Sequence, residues 1–159
     1  MHKAFAFLAP AVVFAGASAA MAALPVATGD SAAEAVQDCA AATSAKSVDP
    51  AVLIARGWTE ARFKKDGREI EAEMSIFGKA QGAPLVMLSE DAAVCMVVGG
   101  LSSPAAFDEL RSAFGETFAD AGSKDGDFRY MAGRDFVLLK PTGSKRQPAF
   151  RATVVEVGD

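Results

Sequence analysis

The side chains able to do chemistry in this chain fall into four groups, set apart by residue type and spacing. Cys39 and Cys95 are its only thiols. Glu69, Glu71 and Glu73 alternate along one stretch, and Asp120, Asp125 and Asp127 lie beside glycines in DAGSKDGDF. Lys140, Lys145, Arg146 and Arg151 form a basic segment in an otherwise acidic chain. Histidine occurs once, at His2, inside an apolar leader. With the leader removed, no imidazole remains for Ser-His-Asp or Cys-His catalysis, for histidine-ligated zinc or for a pH switch. The signatures S-x-x-K, G-x-x-x-x-G-K-[ST] and G-x-G-x-x-G are absent as well. No metal and no cofactor are expected.

The two cysteines stand 56 positions apart, too far for a redox pair on one helix N-terminus. Val36-Gln37-Asp38 before Cys39 is not the small apolar context of a lipid attachment site. A Cys39–Cys95 disulfide is therefore expected, worth on the order of 4 kcal/mol for a loop of that length in the chain-entropy model. The three glutamates, on one strand, would stand roughly 7 Å apart, a spacing that paired carboxylates use in glycoside hydrolysis. The spacing alone does not make a catalytic pair, and an exposed acidic ladder that keeps a sheet face soluble is the preferred account of them. The aspartates miss the calcium-loop template and fit a plain turn. GGLSSP sets Gly99 and Gly100 before a helix start, where backbone donors could hold an anion, although Pro104 removes one of them. The basic segment could touch an anionic polymer or an acidic protein face.

The compartment follows from MHKAFAFLAPAVVFAGASAAMAALPVATGD, where Lys3, an apolar run and small residues at A-x-A spacing form a secretory signal peptide over residues 1–22. Pro10 and many weakly apolar alanines argue against a membrane anchor. No later stretch is long and apolar enough to span, so no membrane span is expected in the mature chain, and a periplasmic or secreted location follows. That location permits the disulfide. The formal charge is −4 and becomes more negative when Lys3 leaves, which argues against nucleic acid as a partner.

Residues 23–30 read as a flexible exit segment and residues 31–159 as one α+β domain. Residues 31–45 form an alanine-rich helix capped by Asp30 or Ser31. Asp49, Pro50 and Gly57 frame a short second helix, with Trp58 buried beyond it. WTEARFKKDGREIEAEMSIFG then alternates as a hairpin turning at Lys65-Asp66-Gly67. APLVMLSEDAAVCMVVGG adds two strands around Ser89-Glu90-Asp91-Ala92, the second central and carrying Cys95. Ser103 and Pro104 open a helix that runs toward Gly122 and buries Phe107, Leu110, Phe114 and Phe118. Three strands follow, with a Pro-Gly-Ser loop before the last. The expected order is αα-ββββ-α-βββ, a mostly antiparallel sheet of five to seven strands packed on two or three helices.

By subtraction, the chain reads as an exported bacterial protein that is not an enzyme and binds an envelope protein or polymer through a sheet face or loops. One version inhibits an envelope enzyme, the Glu69, Glu71 and Glu73 face attracting a cationic cleft. The alternatives are a carboxylate hydrolase of wall glycans using Glu71 and Glu73, and a carrier of a small apolar ligand held between helix and sheet.

Overall fold

A computed structural model of the chain describes residues 23–66, 68–70, 73–79 and 82–157. The leader, Gly67 and Glu71 lie outside them. The fold is α+β, with helices α1 (Gly29–Ala42), α2 (Pro50–Ala55) and α3 (Ala106–Thr117). The strands are β1 (Thr59–Glu60), β2 (Phe63–Lys65), β3 (Arg68–Ile70), β4 (Ser75–Gly78), β5 (Leu85–Ser89), β6 (Val94–Gly100), β7 (Ala119–Lys124), β8 (Asp127–Ala132), β9 (Asp135–Gly143) and β10 (Pro148–Glu156).

Among the described residues, eight strands form one antiparallel sheet in the order β1-β4-β5-β6-β10-β9-β8-β7, and β2 pairs with β3 in a separate ribbon. Two meanders meet in the middle, because the last strand inserts between β6 and β9. The ten described strands exceed the seven of the expected order for two reasons. α3 ends at Thr117 rather than near Gly122, and residues 119–124 become the exposed edge strand β7. The expected long hairpin at residues 58–78 is also split: β1 pairs with β4 as its base, and the β2–β3 ribbon is its tip.

Local chemistry sets the helix boundaries. Thr28, not Asp30 or Ser31, caps α1: its side chain accepts from the Ser31 N–H, and the Ser31 hydroxyl accepts in return from the Thr28 N–H. Asp49 caps α2 by accepting from the Ala51 N–H, with Pro50 at the first helical position. Ser103 does not cap α3 directly but closes the turn before it, accepting from the Ala106 N–H at 3.2 Å. Residues 24–28, expected as a flexible exit, run along the end of β6. The Gly100 N–H donates to Pro25 C=O and the Ala27 N–H to Gly100 C=O. A Cβ on Gly100 would sit 2.9 Å from the Leu24 carbonyl oxygen, so this approach requires glycine.

All three helices cover one face of the sheet. α1 lies on β6 and β10 and crosses α3. Its buried Ala32, Ala35, Val36 and Cys39 meet the inward side chains Val97, Cys95, Ala152 and Val154 in one apolar core. α3 adds Leu110 and Phe114, with Phe114 edge-on to Phe118 and Tyr130. The Cys39–Cys95 disulfide joins α1 to β6 with Cα atoms 5.7 Å apart, a separation that a bridge spans without backbone movement. Among the described residues no helix is long and apolar enough to cross a membrane.

Candidate functional site

Register defines the sheet face that the helices leave open. Residues opposite one another share a face, and every second residue along a strand returns to it. Three rows result. The first runs Lys124, Asp127, Lys140, Arg151, Val98, Leu85 across β7, β8, β9, β10, β6 and β5. The second runs Arg129, Leu138, Thr153, Met96, Met87, Ile76. The third runs Met131, Phe136, Val155, Val94, Ser89. Their inward neighbours Val97, Val137, Leu139, Ala152 and Val154 are fully buried, whereas the apolar members of the rows are half-buried. An antiparallel sheet facing water normally alternates apolar inside with polar outside. Here the second and third rows are mostly apolar on the outside too.

The charges concentrate in the first row. Lys140 and Arg151 are directly opposite on β9 and β10, an arrangement of like charges that opposes strand pairing. Asp127 relieves Lys140 through an ion pair at 2.6 Å. Arg151 is exposed, and neither it nor Arg129 makes an ion pair or hydrogen bond among the described residues.

This placement divides the basic segment seen in the sequence. Lys140 and Arg151 belong to the sheet face, whereas Lys145 and Arg146 sit in a four-residue turn closed by reciprocal Ser144 and Gln147 backbone bonds. The expected Pro-Gly-Ser loop is mostly strand, since β9 continues through Pro141 and Thr142 to Gly143. Lys145 lines a hollow of about 250 Å³ with Leu101, Pro104, Phe107 and Pro148.

The glutamate ladder is not a single strand face. Glu69 lies on β3 and pairs with Arg62 at 3.3 Å, while Glu73 lies in the bend before β4, so the strand that would align them is interrupted. Glu71 is outside the described residues. Glu73 borders a shallow hollow with Ser75, Leu88, Glu90 and Asp91. The aspartate segment is a hairpin: Asp125 and Gly126 both take positive φ between β7 and β8, while Asp120 accepts from the Gly122 N–H. The Gly99–Gly100 donors suggested for an anion are committed to the fold, with Leu101 N–H donating to Pro148 C=O.

Among the described residues, two buried carboxylates, Asp38 and Asp135, escaped sequence reasoning. Asp38 on α1 accepts from Arg56 Nη1 and Trp58 Nε1, both at 2.8 Å, and lies 3.4 Å from Lys79 Nζ. Lys79 also bonds Glu34 at 2.8 Å, which with the Asp38 charge raises its pKa against the opposing effect of burial. The cluster ties α1 to the end of α2 and to the residue after β4. An acidic residue on the Cys39 helix with a tryptophan beyond the next helix was its only sequence trace. Asp135, opposite Glu156 at the end of β9 and β10, has its pKa raised, first by burial and then by the Glu156 charge, against Arg134.

No family model, curated protein or solved structure matches the chain.

Proposed function

We propose that this chain is an exported, non-enzymatic binding module of the bacterial envelope, working in the periplasm or outside the cell, and that it holds its partner on the open face of the sheet. One observation carries the proposal. The outward rows through Leu138, Met96 and Met87 and through Phe136, Val155 and Val94 are apolar, and no described helix lies over them. Contiguous apolar surface rimmed by charge marks interaction sites in proteins that are otherwise polar outside. Export is supported by the small-residue leader and by the buried disulfide, a bond that persists in oxidising compartments. Binding is preferred to glycan hydrolysis because Glu73 of the Glu71–Glu73 pair is exposed in the bend before β4, beside a shallow hollow rather than in a cleft that could bury a catalytic acid.

Site-specific photo-crosslinking in living cells tests the reading. A photoreactive residue at position 96 on the open face should give a discrete adduct, and one at exposed Lys46 should not. Failure of position 96 and of position 138 to give any adduct would remove the open face as the working surface.

A further inference from the structure

The open face carries a charge opposite in sign to the molecule as a whole. The chain has a formal charge of −4, yet Lys124, Arg129, Lys140 and Arg151 share this face with Asp127 as the acidic member of its rows. Asp127 is engaged by Lys140. Stability alone would place an opposite charge or a threonine across from Lys140, not Arg151. Two arginines that make no ion pair or hydrogen bond among the described residues, at the margin of apolar rows, are arranged for an anion brought from outside.

A second copy of the chain does not meet this requirement. A two-fold contact presses one patch against itself, and here it would bring cations against cations or against bare apolar rows. The apolar rows also differ from a shaped protein pocket. Met87, Met96 and Met131 contribute unbranched, flexible side chains that conform to an irregular apolar surface. Arginine and lysine reach outward from an apolar base to place their charged ends in a polar layer. Cationic tips above an apolar ground reproduce the layering of a bilayer's headgroup region.

We propose that this face docks on an anionic lipid surface. Arg129, Lys140 and Arg151 contact headgroup phosphates, and Met87, Met96 and Leu138 meet the acyl boundary beneath. This rests on the reading of the open face as the binding surface and names what that surface binds.

The test uses the chain recovered from the periplasm of an expressing bacterium, mixed with vesicles of phosphatidylglycerol and phosphatidylcholine or of phosphatidylcholine alone. Co-sedimentation should require phosphatidylglycerol and weaken as salt rises. The double variant Arg129→Glu, Arg151→Glu should bind about tenfold less or weaker still, with a melting temperature no lower than the parent's, because the change at position 151 sets an opposite charge across from Lys140. Met87→Gln with Met96→Gln should weaken binding at constant charge. No binding to phosphatidylglycerol vesicles at low salt, equal binding to both vesicle types, or full binding by the arginine variant would each overturn the proposal. A protein adduct from position 96 in cells, together with absent vesicle binding, would overturn the lipid assignment and leave the open-face reading standing.

Discussion

Asp38 is 5% exposed and satisfies donors from three separate parts of the chain. Removing its carboxylate strands the Trp58 indole N–H in the core, leaves Arg56 to solvent and leaves Lys79 to Glu34. Because Arg56 is 47% exposed, its pairing counts for less than the buried indole bond. Asp38→Ala should therefore lower unfolding free energy by about 2–3 kcal/mol, read by urea denaturation followed through Trp58 fluorescence. Asp135 makes the opposite prediction. Its folded pKa lies above the unfolded one, so between the two the fold binds more protons than the unfolded chain, and stability falls as pH rises through that window. The groups facing it are Glu156 and Arg134. Asp135→Asn should match the parent below the ordinary carboxylate range and melt at a higher temperature at neutral pH. Equal melting temperatures at neutral pH would contradict the assignment.

At the scale of elements, two glycines separate close packing from simple flexibility. A Cβ on Gly29 would lie 2.7 Å from the Ala113 Cβ, so Gly29→Ala should push α1 from α3 and cost about 1–2 kcal/mol. Gly115 sits on the exposed side of α3 with open space around it, and Gly115→Ala should stabilise by about 0.5–1 kcal/mol. Thermal melts of the two variants should shift in opposite directions. The same elements show what local sequence could reveal. α2 was legible because Asp49, Pro50 and Gly57 are strong, local boundary signals. The alternation of Cys95 and Val97 against Val94, Met96 and Val98 was legible because a strand repeats every two residues. β7 was not, since ADAGSK has neither β-branched nor aromatic side chains and owes its conformation to pairing with β8. The open face was hidden for a related reason. Alternation along one strand does not say which side the helices take, and the register of β10 on β6 joins residues some fifty positions apart.

For the whole molecule, the disulfide is the covalent tie between the helical layer and the sheet. Both sulfur-bearing residues are fully buried, so a reductant reaches the bond only when the structure opens. Native protein should resist dithiothreitol in buffer and lose its bond in urea, as thiol titration would show. The double variant Cys39→Ala, Cys95→Ala should be less stable by up to about 4 kcal/mol, a loss comparable to the total stability of a modest domain.

The placement of the final strand has an outcome for a growing polypeptide. Nine residues from Pro148 to Glu156 are made after every other described strand and sit in the centre, so a chain that has not reached them holds two half-sheets with raw seams along β6 and β9. Each seam is an adhesive template for any neighbouring strand. The keystone that closes the arch also covers both adhesive edges, and a nascent chain needs shelter until it arrives.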